Sequence, residues 1–121
     1  MTNPLKGEVE VKLGKETYQC RLTIKSLIKI ETELDSGILQ LTQKIANAEM
    51  KVSELSVVLH YALRGGGKDL DLEDVYKIIQ NAGLIDASTA VANLLSLTLS
   101  DPNADEDEKK KDGKQEPKKA V

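Results

Sequence analysis

Two residue types that often carry chemistry each occur once in this chain. Cys20 and His60 lie 40 positions apart, and a closed zinc site needs four Cys or His ligands. Cys20 alternates with Tyr18 and Leu22, which predicts an inward-facing thiol that acts as a small hydrophobic residue. His60 lies off the apolar stripe of its helix, and we expect a solvated boundary residue. The sequence therefore predicts no metal, no cofactor and no catalytic cysteine or histidine.

A glycine run between two basic residues, Arg64-Gly65-Gly66-Gly67-Lys68, invites comparison with phosphate-binding loops. Such a loop needs a glycine where this chain has Ala62, and Ser or Thr where it has Asp69. It also follows a strand, whereas the pattern that precedes this run is helical. We therefore interpret the run as a connection that ends one helix before the next begins.

Acidic residues are plentiful, but their arrangement does not point to catalysis. Glu31, Glu33 and Asp35 crowd the end of a predicted helix. Glu31 falls on the apolar side, where we expect Arg21 or a backbone amide to satisfy its carboxylate. General acid–base catalysis needs a pocket and a tuned pKa that this pattern does not supply. A structural role is favoured, and we expect the protein not to be an enzyme.

The elements that carry these residues begin with a hairpin. Residues 8–13 alternate strictly between charged and apolar, which is typical of a half-buried strand. A second alternating segment spans residues 17–22. Between them, Gly14-Lys15 offers glycine at the first central position of a type II′ turn. The sequence therefore predicts an antiparallel hairpin whose apolar face carries Val9, Val11, Leu13, Tyr18, Cys20 and Leu22.

Beyond residue 22 the apolar spacing changes from two to three or four, which predicts five helices. The predicted helix-capping residues are Thr23, Ser36, Ser53, Asp71 and Asp86. The expected stripe of the first helix is Ile24, Leu27, Ile28 and Leu34, and that of the second is Ile38, Leu41, Ile45 and Ala48. The third should bury Leu55, Val58, Leu59, Ala62 and Leu63. The predicted fold class is α+β, with the N-terminal hairpin packed on a bundle of about five helices.

Composition divides the chain at residue 100. Thirteen of the last 21 residues are charged, and only three are apolar. Such a segment buries too little to offset its chain entropy, so residues 101–121 are predicted to form a disordered acidic and basic tail. Residues 1–100 form the predicted domain, and its core must be aliphatic because the chain has no Phe or Trp.

Charge and hydropathy exclude several classes. No run of about 18 apolar residues spans a membrane, and the start lacks the apolar block of a secretory signal, so we expect a cytoplasmic protein. The domain is slightly acidic, whereas nucleic-acid domains are usually basic. The fourth predicted helix carries several acids against Lys77 alone, which disfavours a DNA-binding regulator.

The last helix is richer in leucine than one core-facing stripe requires. Either the helix is central and buried nearly all round, or it presents an apolar face to a partner helix or a second copy. The candidate partner-binding residues are Leu84, Ile85, Leu94, Leu95, Leu97 and Leu99.

The order of these parts resembles a known family. The hairpin positions Gly7-Glu8-Val9, Gly14 and Tyr18, the helix carrying Glu31, and the run from Ala62 to Gly67 followed by Gly83 are similar to the gene transfer agent type of phage tail assembly chaperone. The resemblance covers about residues 5–99. It rests on glycine, aliphatic and turn positions, without a chemical signature.

The resemblance implies a non-catalytic protein of phage or prophage tail morphogenesis. Such chaperones bind the tape measure protein, help to recruit tail tube protein, act in the bacterial host cytoplasm and are absent from the mature particle. Self-association is a further candidate interaction, and no nucleic acid or membrane is expected. The alternatives are a structural virion or head–tail joining protein and, further away, a small DNA-binding regulator.

Overall fold

A computed structural model of the chain describes residues 8–100, and the predicted disordered tail at 101–121 lies outside the described residues. The described part contains one antiparallel hairpin followed by five helices, which confirms the predicted α+β class. The strands are β1 (Glu8–Leu13) and β2 (Glu16–Arg21). The helices are α1 (Ile24–Leu34), α2 (Ile38–Ala46), α3 (Val52–Gly65), α4 (Leu72–Ala82) and α5 (Leu84–Ser100).

The hairpin has the predicted first strand, and its second strand begins one residue earlier than predicted. Leu13 pairs with Glu16 at the closed end, and Glu8 pairs with Arg21 at the open end. Gly14 has φ +66°, and Lys15 does not share this positive φ. A type II′ turn requires positive φ at its first central residue only, so glycine fits there without strain.

The apolar face of the hairpin is covered by helices. Val11, Leu13, Cys20 and Leu22 are buried, while Val9 and Tyr18 are partly buried against the same core. In the packing, α5 lies against β1 and α3 lies against β2. An isolated hairpin is marginally stable in water, so these two helices are what hold the sheet in place.

The third helix carries the centre of the core. All five residues of its predicted stripe are buried, with exposed fractions of 0–2%. Besides β2, α3 contacts α1, α4 and α5. Full burial of an aliphatic side chain contributes about 1.5–3 kcal/mol, so this stripe is a major source of stability.

The first helix buries only part of the predicted stripe, and Leu34 packs partly buried against the core as predicted. Leu27 and Ile30 are buried, but Ile24 and Ile28 are 58% and 54% exposed. The rotation of α1 about its own axis explains this exposure, because α1 packs on α3 through the side that carries Leu27 and Ile30. Ile24 and Ile28 lie one turn apart on the flank of that side. The spacing was compatible with either stripe.

Two of the predicted caps are confirmed. The Thr23 hydroxyl accepts a hydrogen bond from the Ser26 amide at 3.1 Å, and the Asp71 carboxylate accepts one from the Asp74 amide at 2.9 Å. The fourth helix also ends at Gly83 as predicted.

The predicted caps at Ser36, Ser53 and Asp86 are wrong. Their helices are preceded by Gly37, Lys51 and Gly83, and Asp86 falls inside the first turn of α5. Side chains within the helices supply the missing acceptors, since Gln40 accepts from the Gly37 amide and Glu54 from the Lys51 amide. Ala48, expected on the second stripe, lies beyond the end of α2 with φ +59°.

The glycine run ends α3 as predicted, but two of its glycines also serve packing. A Cβ at Gly65 would lie 2.1 Å from the Arg21 carbonyl oxygen, and one at Gly66 would lie 2.0 Å from that of Gln19. Both distances are far shorter than a carbon–oxygen contact allows. The end of α3 therefore reaches the backbone of β2 only because these two residues lack a side chain.

Candidate functional site

The structure separates the six candidate leucine and isoleucine residues into two groups. Leu94 and Leu95 are fully buried, which corrects their assignment to an exposed face. They belong to the core stripe of α5, whose members are Ala87, Ala90, Val91, Leu94, Leu95 and Thr98. The other four are exposed, and Ile85 is the most open at 80%. The helix is therefore not buried all round.

The four exposed residues lie at the two ends of α5. Leu84 and Ile85 begin the helix at the bend that follows Gly83, and Leu97 and Leu99 lie in its last turn. Ile85 and Leu97 are about 18 Å apart along the axis, at a rise of about 1.5 Å per residue. We call the first pair the bend pair and the second the end pair.

The end pair does not form one face. Residues two apart on a helix point about 200° away from each other, so Leu97 and Leu99 flank the buried stripe on opposite sides. Between the two pairs, the outward side of α5 carries Thr89, Asn93 and Ser96, which are exposed. The candidate surface is therefore discontinuous. An apolar patch lies at each end of α5 with a polar stretch between them, and the patch at the C-terminal end is divided between two opposite flanks of the helix.

Further exposed apolar side chains were not among the candidates. They are Ile24, Ile28, Leu39, Val52 and Tyr76. Ile24 and Ile28 share one side of α1, next to the exposed Lys25 and Lys29. Each of these isoleucines is followed by a lysine, and this repeat indicates a helix flank in contact with solvent. It was not recognised because Ile24, Leu27 and Ile28 also have the spacing of three and four residues that is typical of a core-facing stripe.

The thiol is where the sequence predicted it. Cys20 is fully buried, and burial raises its pKa to about 12. Because the thiolate is the nucleophilic form, burial disfavours reaction at this cysteine.

The histidine lies at the boundary of the core as expected, but it has a specific partner and is not simply solvated. His60 is half-buried, and its Nε2 donates a hydrogen bond of 2.9 Å to the Leu70 carbonyl oxygen. This bond ties α3 to the loop that precedes α4. The imidazole therefore has a structural contact with the backbone.

The acidic residues near the end of α1 also have structural partners. Glu31 accepts a hydrogen bond of 2.8 Å from the Ile38 amide, which confirms the expected backbone partner. The Tyr61 hydroxyl donates to Glu33 at 2.9 Å. Burial raises the pKa of Tyr61, and the Glu33 carboxylate raises it further. These contacts fasten α1 to α2 and α3.

Neither metal-binding nor membrane-spanning features mark the described part of the chain. Between residues 8 and 100, no group of three or more His, Cys, Asp or Glu residues could hold a metal ion. Over the same residues no single helix is long and apolar enough to cross a membrane, and α4 with α5 meets that criterion only as a pair bent by 113°.

The comparison that decides the family covers most of the chain. The sequence model of the family described as phage tail tube protein, GTA-gp10, matches residues 6–101. The chain belongs to this family. Its role is therefore in phage or gene transfer agent tails, where it assembles with other tail components. No curated protein and no solved structure matches the chain.

The match to the family model spans both strands and all five helices of this chain. It therefore includes the bend pair, the end pair and the glycine run, and it stops where the charged tail begins. The residues that the structure leaves exposed and apolar are part of the family domain.

Proposed function

We propose that this member of the GTA-gp10 family is a non-catalytic tail assembly chaperone that binds the tape measure protein and helps to recruit tail tube subunits. The observation that carries the proposal is the pair of apolar patches at the two ends of α5. A tail protein with such patches is suited to hold apolar segments of another tail component.

The chemistry of the patches favours a helical client. They consist of leucine and isoleucine, whose burial contributes about 25 cal/mol per Å² without demanding one partner sequence. An amphipathic helix presents apolar side chains every three or four residues and fits such surfaces. Each patch is small, so single contacts are weak and several copies along one client would bind by avidity.

The proposal includes where the protein acts. A chaperone works in the bacterial host cytoplasm during assembly and leaves before the particle is complete. The buried thiol of Cys20 and the hydrogen bond of His60 to the Leu70 carbonyl oxygen support a non-catalytic role.

A second candidate is a structural component of the virion, such as a tube or head–tail joining subunit. The description of the family as phage tail tube protein favours this candidate directly. A structural subunit would bury the same patches permanently against its neighbours in the particle. The two candidates therefore share the surface and differ in how long it stays covered.

Co-expression with the tape measure protein of the same tail tests the chaperone proposal. We expect the wild-type chain to raise the soluble fraction of the tape measure protein and to co-purify with it. Replacing all four patch residues, Leu84, Ile85, Leu97 and Leu99, with Ser should remove both effects.

A matched control uses exposed apolar residues elsewhere. Replacing four other exposed residues, Ile24, Ile28, Leu39 and Val52, with Ser removes a similar exposed apolar surface from α1, α2 and α3. This variant should keep the wild-type effects. Equal solubility of the tape measure protein with and without the wild-type chain would contradict the chaperone proposal.

A further inference from the structure

We propose that two copies of this chain associate through the outer edge of β1, forming one continuous four-stranded antiparallel sheet. This inference goes beyond the proposed function and does not depend on it. The two outer edges of the hairpin differ in whether a helix covers them.

The outer edge of β2 is covered. In a hairpin closed by the Leu13–Glu16 pair, alternate residues direct their backbone groups away from the partner strand. On β2 these include Gln19 and Arg21, whose carbonyl oxygens face Gly66 and Gly65 at the end of α3. The close packing of α3 thus leaves no room for another strand on that side.

Among residues 8–100, no helix or loop makes a backbone hydrogen bond to the outer edge of β1. By the same alternation, Glu10 and Lys12 direct their amides and carbonyls away from β2. Beside this edge runs a groove of about 360 Å³ between β1 and α5, lined in part by Lys12, Gly14 and the polar residues Asp86, Thr89 and Asn93. An open edge with unpaired backbone groups is a template for strand addition.

The charges on β1 indicate that the added strand is β1 of a second copy. In an antiparallel pairing centred on Val11, Glu10 of each copy lies opposite Lys12 of the other. The two residues exchange backbone hydrogen bonds, and their opposite charges are adjacent on the solvent face. Pairings centred on Val9 or Lys12 place like charges opposite each other, which is destabilising. The pairing centred on Glu10 brings Glu8 opposite Lys12 but sets the two Glu10 carboxylates directly against each other, so only the pairing centred on Val11 has attractive charge pairs without a repulsive one.

The apolar face of the four-stranded sheet is also compatible with the pairing centred on Val11. The pairing centred on Val11 places Val11 against its own copy and Val9 opposite Leu13. These residues continue the apolar face that α5 covers within each copy. Lys12 is exposed and its amine has no partner among residues 8–100, so it is available for the ion pair. The interface is self-complementary, as a two-fold dimer requires.

Analytical ultracentrifugation of the full chain between about 5 and 500 μM tests the inference, and we expect a monomer–dimer equilibrium. The Glu10→Lys and Lys12→Glu variants each turn two attractive pairs into repulsive ones. Each should weaken dimerisation about tenfold or more, since a cross-strand pair contributes up to about 1 kcal/mol.

Charge exchange makes the test specific to this register. Mixing the Glu10→Lys chain with the Lys12→Glu chain should give a heterodimer, because Lys then faces Glu at both positions. The double variant should regain the wild-type dimer. Both residues are exposed, and circular dichroism verifies that each variant is folded.

Charge changes elsewhere serve as matched controls. Lys29→Glu and Glu49→Lys alter the net charge equally at exposed positions away from β1, and they should dimerise as the wild type does. A wild-type chain that stays monomeric over the whole range would overturn the inference. So would a dimer that the two β1 variants leave unchanged, or a mixture that does not form the heterodimer.

Discussion

Helices α3 and α5 both line the core, but they are held in opposite ways. At the start of α3, Glu54 accepts hydrogen bonds from Lys44 and from the Lys51 amide, each at 2.7 Å. At its other end, Gly65 and Gly66 lie against the backbone of β2. In α5 the middle is buried, while the residues at both ends are apolar and exposed.

This difference separates the residues that hold the fold from those available to partners. A helix fixed at both ends cannot shift without breaking contacts with α2 and with the hairpin. The ends of α5 carry side chains whose burial would be favourable and that no packing among residues 8–100 provides. Mutations in α3 should therefore affect stability, and mutations at the ends of α5 should affect assembly.

The largest effect is expected where α3 meets the hairpin. Gly66→Ala places a Cβ 2.0 Å from the Gln19 carbonyl oxygen, and neither backbone can move without repacking. We expect a loss of about 3 kcal/mol or more in the free energy of unfolding. Urea denaturation followed by circular dichroism measures it.

A glycine without such a neighbour provides the control. Gly37 has extended backbone geometry, and the nearest atom to an added Cβ is 3.9 Å away. Gly37→Ser should be neutral or stabilising by a few tenths of a kcal/mol, since serine is the better helix cap. A Gly66→Ala protein as stable as the wild type would show that α3 is not fixed at this end.

An intermediate effect is expected at the start of α3. Glu54→Ala removes the acceptor for Lys44 and for the Lys51 amide, which should cost about 1–3 kcal/mol at pH 7. Burial opposes ionisation of Glu54, but the hydrogen bonds from Lys44 and Lys51 outweigh it and lower the pKa of the carboxyl.

The lowered pKa fixes the sign of the pH dependence. The contribution of Glu54 is fully present above its unfolded pKa of about 4.3, and it is lost as the pH falls through the lower folded value. The difference in unfolding free energy between the wild type and Glu54→Ala should therefore shrink from pH 7 toward pH 3. A difference that grows on acidification would contradict this account of the ion pair.

The smallest effect on stability is expected at the start of α5. Ile85→Ser should change the free energy of unfolding by less than about 0.5 kcal/mol, because the side chain is mostly exposed. The buried Leu94→Ala on the same helix should cost about 2–5 kcal/mol. Thermal melts of the two variants compare them directly, and equal losses would mean that the bend pair belongs to the core.

The sequence was most informative where the pattern admits one solution. Strict alternation in β1 leaves one apolar face, and its bounds were predicted correctly. The stripe of α3 has five apolar residues at helical spacing, so only one side of this helix could be the one that packs on the core. A carboxylate on an apolar side must find a donor, so Glu31 could be expected to bind either Arg21 or a backbone amide, and the structure shows the amide.

Other features depend on which elements become neighbours. Ile28 and Ile30 are equally compatible with a helical stripe, and only the position of α3 decides that Ile30 is buried. Leu94 and Leu97 are likewise distinguished by how α5 is rotated. The glycines at 65 and 66 could be recognised as a helix end, but their contact with β2 joins segments more than 40 residues apart.

Quantitative mass spectrometry of assembling cells and of purified particles tests the proposed function most directly. The chaperone account predicts that the chain is recovered with the tape measure protein from lysates during tail assembly. It also predicts less than about one copy in each finished particle. Recovery of the chain in purified particles at a fixed ratio to the tail tube protein would contradict it and identify a structural subunit.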